Sequence, residues 1–206
     1  MLCPLCNQEL IDRWDQEYFH CGKCKGWLRD RDLYLSPTEE KAFYLTHQND
    51  VNDQRYQQFT APVSDYIMEH FQPHHRGLDF GSGTGPVISK VLADHQYQVN
   101  QYDPFFAPAT DSLHQNYDYI IACEVIEHFQ QPRQEFRRLH DLLNPGGALV
   151  VMTLLYHQSL DFTRWRYRRD PTHVIIYQPD TIRYIQRTFK FSSVEIKSGR
   201  LIVWKH

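Results

Sequence analysis

The most informative segment of this 206-residue chain reads Arg76-Gly-Leu-Asp-Phe-Gly-Ser-Gly-Thr-Gly-Pro-Val-Ile-Ser-Lys90. Its short run from Leu78 to Phe80 predicts a buried strand, and the apolar residues from Val87 onward follow the spacing of a helix. Three alternate glycines separate the two elements, and glycine permits positive φ and the close approach of a ligand to the backbone. Free N–H groups at the start of the helix add hydrogen-bond donors beside that turn. The segment therefore predicts a strand–turn–helix cradle for a nucleotide-like ligand.

The spacing of the glycines narrows the class of ligand. Gly81, Gly83 and Gly85 form the pattern Gly-x-Gly-x-Gly, and an acidic residue, Asp79, precedes the first glycine by two positions. A dinucleotide-binding turn would instead follow Gly-x-Gly-x-x-Gly. The position of its third glycine is occupied here by Pro86. A nicotinamide dehydrogenase is therefore the least favoured enzymatic interpretation.

Three later segments complete a pattern that runs from Gly77 to Thr153. They are Tyr102-Asp103-Pro104, Tyr117-Asp-Tyr-Ile-Ile-Ala-Cys-Glu-Val-Ile-Glu-His128 and Leu142-Leu-Asn-Pro-Gly-Gly-Ala-Leu-Val-Val-Met152. In this order, the four motifs together resemble those of the class I S-adenosylmethionine (SAM) methyltransferases. The resemblance implies an α/β fold with a Rossmann-like sheet, helices on both faces and a final antiparallel pair of strands. It also implies SAM as the cofactor and methyl transfer as the reaction.

The same resemblance implies which residues bind SAM. Asp103 is expected to accept hydrogen bonds from both ribose hydroxyls, although an aspartate before a proline is also typical of a simple turn. The backbone of Cys123 and Glu124 is expected to border the methionine part of SAM, with the Cys123 side chain as a small buried apolar group. The expected cofactor-binding residues are Asp79, Gly81, Ser82, Gly83, Thr84, Gly85, Asp103, Pro104, Cys123 and Glu124.

Glu127, His128 and His173 are the candidate catalytic residues. In related methyltransferases the loop after the fourth strand borders the methyl group, which would place Glu127 and His128 beside the acceptor. His173 follows an arginine-rich loop in a region that often shapes the substrate pocket of the family. A base is needed only if the acceptor loses a proton as it attacks, because the enzyme chiefly has to hold the reacting atoms in line. The sequence does not choose among the three residues.

The methyl acceptor can be predicted only by class. The loop Arg164-Trp-Arg-Tyr-Arg-Arg169 places four arginines among two aromatic residues. Such a loop can bind an anionic or nucleotide-bearing substrate, or it can be a solvated loop that offsets nearby acids. We expect a small-molecule or glycan acceptor. If the arginine-rich loop binds it, we expect that acceptor to be anionic. The alternatives are RNA, positioned by this loop and the N-terminal segment, and a SAM-binding module without catalysis.

The chain departs from the family pattern after Asp103. Only fourteen residues separate Asp103 from Asp118, and a helix–strand unit does not fit comfortably into that length. The third strand of the sheet is therefore predicted to be shortened or missing. The acid that usually binds the adenine amino group has no clear counterpart, Asp111 being the nearest guess, and Phe105 or Phe106 is expected to flank the adenine ring instead.

Four cysteines near the N-terminus form two Cys-x-x-Cys pairs, Cys3/Cys6 and Cys21/Cys24, with fourteen residues between the pairs. Two such turns can close a tetrahedral site around zinc. All four positions would then be filled, so the metal is predicted to be structural, within a zinc-ribbon-like segment over residues 1–30. The alternative is a pair of disulfides, which a cytoplasmic protein does not normally contain.

Residues 31–72 are predicted to form a helical linker and lid, followed by the methyltransferase domain over residues 73–206. The capping box at Ser36 predicts a helix that runs to about His47. Tyr44, His47 and Asn49 crowd the end of this helix. We favour the interpretation that Asn49 ends the helix, and the alternative is that the three residues form a lid over SAM or substrate.

Composition excludes several classes of protein. A hydrophobic content of 41% is enough for a buried core, and the net charge of −3 weighs against nonspecific coating of nucleic acid. The sequence has neither an apolar run long enough for a membrane span nor an N-terminal signal. We therefore expect a cytoplasmic protein without a membrane partner. The sequence does not indicate an oligomeric state.

Overall fold

The computed structural model describes residues 1–47 and 49–206, which form a mixed α/β fold with two sheets. Nine strands and five α-helices occur in the described part of the chain. The strands are β1 (Tyr18–His20), β2 (Trp27–Arg29), β3 (Arg76–Phe80), β4 (Gln98–Tyr102), β5 (Tyr117–Cys123), β6 (Leu143–Met152), β7 (Ile175–Ile176), β8 (Ser193–Lys197) and β9 (Leu201–Lys205). The helices are α1 (Pro37–Tyr44), α2 (Gln54–His70), α3 (Val87–Asp94), α4 (Pro132–Asp141) and α5 (Pro179–Phe189).

The larger sheet has the strand order β4-β3-β5-β6-β9-β8. The pairs among its first four strands are parallel, and β9 is antiparallel to both β6 and β8. Because the chain leaves β3 first toward β4 and then returns to β5 on the other side, the order reverses beside β3. In open α/β sheets, ligands bind outside the carboxyl ends of the strands at such a reversal. The predicted sheet, including its antiparallel end, is confirmed.

Helices cover both faces of this sheet. Helices α2 and α3 pack on one face through Val63, Ile67 and Leu92, against Tyr119 and Val150 of the sheet. Helices α4 and α5 pack on the opposite face, where the strands contribute the alternate residues. Strands β5 and β6 are buried between these layers, which explains why their sequences are apolar almost throughout.

The stretch between Asp103 and Tyr117 contains no regular strand, although every residue in it is described. It forms an isolated bridge between Asp103 and Ala107 and a 3₁₀ helix over Thr110–His114. Strand β4 is consequently the edge of the sheet. The prediction that the third family strand is shortened or missing is confirmed, because the connection is too short for a complete crossover unit.

Three predicted element boundaries differ from the structure. Strand β6 begins at Leu143 and ends at Met152 instead of running from Ala148 to Leu155, because the backbone of Leu143 already pairs with Tyr117. The sequence predicts that strand β8 begins at Phe189, whereas it begins at Ser193. Helix α5 continues to Phe189, and Lys190 ends it in the left-handed conformation, with φ of 64°.

The first helix is also shorter than predicted. It ends at Tyr44, with Leu45 in the capping position and its N–H donating to the carbonyl of Lys41. The prediction that Asn49 ends this helix is therefore wrong. Residues 45–47 form turns after the helix, and Asn49 lies against the glycine turn.

The N-terminal segment shares its small sheet with a distant part of the chain. Strands β1 and β2 form a hairpin, and β2 pairs with β7, so the order is β1-β2-β7. The buried guanidinium of Arg168 lies 2.6 Å from the Asp15 carboxylate and stacks over the rings of Tyr18 and Phe162. These contacts fix the segment after β6 against the cysteine-containing segment.

No helix in the described part of the chain has both the length and the apolar character needed to cross a membrane.

Asp79 links β3 to α3 beneath the glycine turn. Its side chain is 4% exposed, and one carboxylate oxygen accepts a hydrogen bond of 2.7 Å from the Ser89 hydroxyl. Burial raises the pKa of Asp79 to about 6, although the hydrogen bond from Ser89 acts in the opposite direction. Ionisation of the Asp79 carboxyl group therefore costs more free energy in the folded chain than in the unfolded chain.

This burial predicts a pH-dependent stability. In the unfolded chain Asp79 loses its proton near its ordinary pKa of ~3.9. Between that pH and about 6, the folded chain binds more protons at Asp79 than the unfolded chain does. The contribution of Asp79 to the free energy of unfolding is therefore complete below this window and is lost as pH rises through it. Asp79→Asn should therefore gain stability relative to the wild type by up to about 3 kcal/mol between pH 4 and 6, and no more above it. Urea unfolding at several pH values measures this difference.

The Ser89→Ala variant serves as the matched comparison. It removes the hydrogen bond that favours the Asp79 carboxylate, so the loss of stability should extend to higher pH. The raised pKa of Asp79 would be contradicted if the free energies of unfolding of the wild type and Asp79→Asn differed by the same amount at pH 4 and at pH 6.

Candidate active site

A cavity of about 560 Å³ lies at the carboxyl ends of β3, β4 and β5. Its volume is typical of pockets that bind small molecules. The glycine turn, the loops after β4 and β5, the helices α1 and α2, and the segment after β6 all contribute to its wall. The lining residues are Glu40, Tyr44, His47, Asn49, Tyr56, Phe59, Thr60, Phe80, Gly81, Ser82, Gly83, Tyr102, Asp103, Pro104, Phe105, Phe106, Cys123, Glu124, Val125, His128, Phe129, Glu135, Arg138, Tyr167, Asp170 and His173.

The glycine turn forms one end of the cavity. Gly81 and Gly83 have φ of 78° and 66°, a region that residues with a side chain rarely adopt. A Cβ on Gly81 would lie 2.5 Å from the Val125 side chain, whereas a Cβ on Gly83 would meet no described atom within 4 Å. The turn is therefore closed beneath Gly81 and open above Gly83, which leaves room for a ligand beside the backbone.

Asp103 joins this turn to the loop after β4. One carboxylate oxygen accepts from the Gly83 N–H at 3.0 Å, and the other accepts from the N–H groups of Phe105 and Phe106 at 2.8 and 3.0 Å. A carboxylate offers about four acceptor positions, so three are used by the protein itself. Asp103 lines the cavity, and its remaining acceptor capacity is smaller than the predicted bond to two ribose hydroxyls requires.

Helix α1 and the residues after it cover the cavity. The Tyr44 hydroxyl donates to Glu40 at 2.7 Å, and its ring lies 6.0 Å from Phe105 and 5.5 Å from His128. Tyr44, His47 and Asn49 all line the cavity. The structure thus places the three residues as the lid alternative requires.

Asn49 also contacts the glycine turn directly. A Cβ on Gly85 would lie 2.0 Å from the Asn49 carbonyl oxygen, and the Asn49 amide donates to the Thr84 hydroxyl at 3.4 Å. Gly85 therefore has to be glycine because the Asn49 backbone packs on it. Its role differs from that of Gly83, which faces the open cavity.

Two histidines lie at the other end of the cavity, with ring centroids 4.9 Å apart. Nδ1 of His128 lies 3.1 Å from the Thr172 carbonyl oxygen, and Nδ1 of His173 lies 2.8 Å from that of Tyr167. Because a carbonyl can only accept, each Nδ1 carries the proton. Burial is the main cause that lowers the pKa of both histidines to about 4. Both rings are neutral near pH 7, with Nε2 available as an acceptor.

Glu127 lies just beneath these histidines and is completely buried. One carboxylate oxygen accepts from the Tyr167 hydroxyl at 2.5 Å, and that hydroxyl also lies 2.9 Å from Oγ1 of Thr153. Burial raises the pKa of Glu127, and burial likewise raises the pKa of Tyr167 well above its usual range. The tyrosine is thus a hydrogen-bond donor and not a phenolate.

Cys123 is the last residue of β5, and Glu124 begins the loop that follows it. Glu124 has φ of 52°, and its N–H donates to the Met152 carbonyl at 2.7 Å. Burial, followed by the charge of Glu127, raises the pKa of Glu124 to about 8, while Arg200 lies 3.4 Å from its carboxylate. Burial raises the pKa of the Cys123 thiol well above its usual value, which disfavours the thiolate form.

The structure brings most of the predicted site residues together around one cavity. Of the predicted cofactor-binding set, Asp79, Thr84 and Gly85 do not line it, because Asp79 lies below the turn and Gly85 is covered by Asn49. Of the predicted catalytic set, Glu127 is enclosed behind the wall that His128 and His173 form. The nine that line the cavity are Gly81, Ser82, Gly83, Asp103, Pro104, Cys123, Glu124, His128 and His173.

The expectations for adenine have mixed outcomes. Phe105 and Phe106 line the cavity, as their predicted place beside the adenine ring requires. Asp111 lies in the 3₁₀ helix after them and is not among the lining residues in the described part of the chain.

The arginine-rich loop does not supply its arginines to the cavity. None of the four arginines, all of which are described, lines the wall; Arg168 pairs with Asp15 and Glu17, and Arg164 with Asp161. Of the two alternatives for this loop, these contacts favour the one in which its arginines offset nearby acids, and Arg168 is committed to the N-terminal segment. Tyr167 is the residue of this loop that reaches the site.

Sequence reasoning missed several wall residues. Glu40, Glu135 and Arg138 lie on the outer faces of helices and come to the cavity only through packing, so their sequence carries no local signal. Tyr167 lies within the arginine-rich loop and Asp170 directly follows it. The four arginines are the stronger sequence signal there, and they hide the two side chains that line the cavity.

The four N-terminal cysteines lie together, away from this cavity. Their sulfur atoms are all within 4.8 Å of one another, with Cys3 and Cys24 at 3.6 Å and Cys6 and Cys21 at 3.4 Å. The thiols are free and buried, which excludes the disulfide alternative in this structure. Four sulfurs bound to one zinc at ~2.3 Å would be about 3.8 Å apart, so the donor set fits a tetrahedral metal site.

Comparison with known proteins agrees with this geometry. The family described as methyltransferase domain matches residues 45–195. Over 78 residues the chain is 31% identical to the ubiquinone biosynthesis O-methyltransferase of Ruegeria pomeroyi, an alignment that covers 38% of this chain and 31% of that protein. The chain thus matches about a third of the length of this curated relative.

Solved structures share the fold at lower identity. A SAM-dependent methyltransferase from Archaeoglobus fulgidus is 17% identical with a TM-score of 0.56, over 73% of this chain and 94% of that one. Phosphoethanolamine N-methyltransferase 2 of Haemonchus contortus, solved with SAM, is 19% identical with a TM-score of 0.53, over 82% of this chain and 44% of that one. The family match spans most of the chain and the sheet has the expected order: the chain belongs to the methyltransferase domain family, with the class I fold.

Proposed function

We propose that this protein transfers the methyl group of SAM to a small-molecule acceptor. The observation that carries the proposal is the single cavity that joins the glycine turn to the pair of histidines under one lid. Helices α1 and α2 contribute side chains to its wall, which favours an acceptor that enters the cavity over a large polymer. The O-methyltransferase and N-methyltransferase similarities support a small acceptor without choosing its reacting atom.

The residues at the turn end fit the cofactor. Gly83 leaves open space beside its backbone, and Asp103 keeps one acceptor position toward the cavity. We infer that Asp103 binds one ribose hydroxyl and that Phe105 and Phe106 border the adenine ring. When bound, SAM supplies an activated methyl group, so the protein has chiefly to align the acceptor and exclude water.

The residues at the histidine end would receive the acceptor. The unprotonated Nε2 atoms of His128 and His173 can accept a hydrogen bond or a proton from an acceptor hydroxyl. Glu127 holds Tyr167 from behind and acts on the acceptor only through its neighbours. His128 and His173 are therefore our proposed contact residues, and Glu127 is the proposed positioning residue.

Methyl-labelled SAM incubated with a cell extract tests the proposal. The label should enter material that passes a small-pore filter, and added nuclease should not change its amount. Asp103→Ala should reduce the incorporation at least about tenfold, because it removes a cavity acceptor and releases both loops, each hydrogen bond to a charged group contributing ~1.5–3 kcal/mol. Asp111→Ala, outside the cavity wall, is the matched control and should keep wild-type activity.

Two results would overturn this function. Label in nuclease-sensitive material would instead identify RNA as the acceptor. Tight SAM binding by calorimetry, with no transfer to any fraction, would identify a SAM-binding module without catalysis. Equal incorporation by Asp103→Ala and the wild type would reject the role of Asp103.

We further propose that Cys3, Cys6, Cys21 and Cys24 bind one structural zinc ion. All four ligand positions would be protein thiolates, and such closed sites stabilise small segments with little apolar core. The β1–β2 hairpin is short, and the segment over residues 1–30 keeps Ile11 and Trp14 largely exposed. Its core alone is a weak source of stability.

The zinc assignment predicts a difference between cysteines. The purified protein should contain one zinc ion per chain by elemental analysis. Cys24→Ser should lose most of that zinc and unfold at a lower temperature, since an incomplete site binds the ion weakly and the segment loses its cross-link. Cys123→Ser, which changes the fifth cysteine, should retain the metal. Full zinc content in Cys24→Ser would contradict the site.

We also propose that the residues after α1 form the lid over the bound cofactor. The close approach of the Asn49 carbonyl to Gly85 supports this proposal, because it fixes the lid to the glycine turn. The lid would shield the methyl group from water and complete the wall beside His128.

A single methyl group should disturb this contact. Gly85→Ala places a Cβ against the Asn49 backbone, so the lid has to move and SAM affinity by calorimetry should fall at least about tenfold, or ~1.4 kcal/mol. Gly22→Ala is the control, because a Cβ there would meet no described atom within 4 Å. If both variants bind SAM like the wild type, the lid does not depend on this contact.

A further inference from the structure

Glu127, His128 and His173 form a cluster with the donor set of a metal site. One carboxylate oxygen and one nitrogen of each imidazole lie within 4.8 Å of one another. Three ligand atoms bound to one ion at ~2.0–2.2 Å, with angles of about 90–120° between them, lie about 3.0–3.6 Å apart. The widest pair would therefore have to close by at most about 1–2 Å for the three atoms to surround an ion.

The histidines are oriented as metal ligands usually are. Each donates its Nδ1 proton to a backbone carbonyl, His128 to Thr172 and His173 to Tyr167. Ligating histidines commonly make this second hydrogen bond, which fixes the tautomer and leaves the other ring nitrogen for the ion. Here the two rings present Nε2 from two different segments of the chain, the loop after β5 and the loop before β7.

The third member has an unsatisfied atom. Oε2 of Glu127 is buried and has no hydrogen-bond partner among the described residues, while Oε1 accepts from Tyr167. In residues 1–47 and 49–206 no lysine or arginine pairs with this carboxylate, because Arg200 lies against Glu124 instead. A buried carboxylate oxygen without a partner is costly. A cation at this place would satisfy it.

We propose that Glu127, His128 and His173 bind a first-row divalent transition-metal cation at the histidine end of the cavity. Two imidazoles and one carboxylate suit ions such as Zn²⁺, Fe²⁺ or Co²⁺ better than Mg²⁺. The described residues offer three protein ligands at this place, which leaves coordination positions for a ligand in the cavity that His128 and His173 line. This site is separate from the four-cysteine site, whose ligands are all sulfur.

The surrounding charges favour a cation. Asp170, whose carboxylate accepts from the Thr172 N–H at 2.9 Å, lies in the loop that carries His173. Glu124 carries a further carboxyl group in the same loop as Glu127, with Arg200 as its ion-pair partner. A divalent ion would favour the ionised form of these carboxyl groups, because a nearby opposite charge stabilises the charged form.

The ion would give the site a way to select its acceptor. With the ion bound, the Nε2 atoms of His128 and His173 are its ligands and do not accept from the acceptor directly. An open coordination position then binds an oxygen of the acceptor and holds it in the cavity. This role rests on the proposed methyl transfer, whereas binding of the cation does not. The inferred acceptor class is a small molecule with a hydroxyl or carboxylate oxygen that can ligate a metal.

A cobalt titration of the full chain, with its cysteine site already filled by zinc, tests the inference. We expect one Co²⁺ to bind per chain, with the visible absorption of nitrogen and oxygen ligation and without a thiolate charge-transfer band. Calorimetry of the same titration measures the affinity, and elemental analysis checks that zinc stays at one per chain. No binding of Co²⁺ by the wild type up to millimolar concentration would overturn the inference.

Variants identify the ligands. Glu127→Gln and His173→Asn should each weaken Co²⁺ binding more than about tenfold, because each removes one of three protein ligands. Glu40→Gln changes another carboxylate on the wall of the same cavity, outside the cluster, and should bind Co²⁺ like the wild type. Thermal unfolding of each variant checks that it is folded. Unchanged affinity in folded Glu127→Gln would also overturn the inference.

Methyl transfer is measured separately so that the two proposals fail independently. Cobalt binding without any methyl transfer leaves the metal site standing and rejects the enzymatic function. Methyl transfer that is unaffected by a chelator, in a protein that binds no Co²⁺, leaves the function standing and rejects the metal site.

Discussion

A single carboxylate holds the turn end of the cavity together. Asp103 accepts three backbone N–H bonds, one from Gly83 and two from Phe105 and Phe106. Both loops leave neighbouring parallel strands. The N–H groups of Gly81 and Ser82 still donate to the Tyr102 carbonyl at the end of β4, and Asp103 joins the turn to the residues that follow. Because the usual next strand is missing, β4 is an edge and the loop after it has no neighbour on its outer side. The position of that loop therefore depends on the Asp103 side chain.

The opposite end of the cavity is governed by burial of charge. Glu127 is completely enclosed, and the only ion pair described nearby joins Glu124 to Arg200. Placing acids here without a full set of counter-charges costs stability, and perturbed groups of this kind cluster at functional sites. The neutral rings of His128 and His173 line the cavity next to these acidic residues. The arrangement is suited to bind a ligand that brings its own positive charge or donates a proton.

The N-terminal segment helps to build that end although it lies far away in sequence. Strand β2 pairs with β7, and Arg29 donates from its side chain to the Asp170 carbonyl at 3.0 Å. The buried Arg168 joins the same loop to Asp15. These contacts hold the loop that carries Tyr167 and His173, so the cysteine-containing segment contributes to the shape of the acceptor end. A metal in that segment would thus support the site without touching it.

The sequence by itself determined the sheet, the glycine turn and the absence of the third strand. Strand–turn–helix periodicity and the length of the connection after Asp103 are local properties, so they can be read without knowledge of packing. The paired Cys-x-x-Cys motifs likewise predicted that four thiols would meet, because each turn presents two of them together.

Only the tertiary structure decided which side chains face the cavity. Four arginines in one loop left an anion site and a solvated loop as alternatives, whereas in the structure Arg168 turns toward acids about 150 positions earlier in the chain, and Tyr167 reaches the cavity. Asn49 suggested a helix cap, but the helix ends at Tyr44 and Asn49 packs on Gly85. Contacts between distant segments have no local signal, because they depend on how whole elements pack and not on the spacing of neighbouring residues.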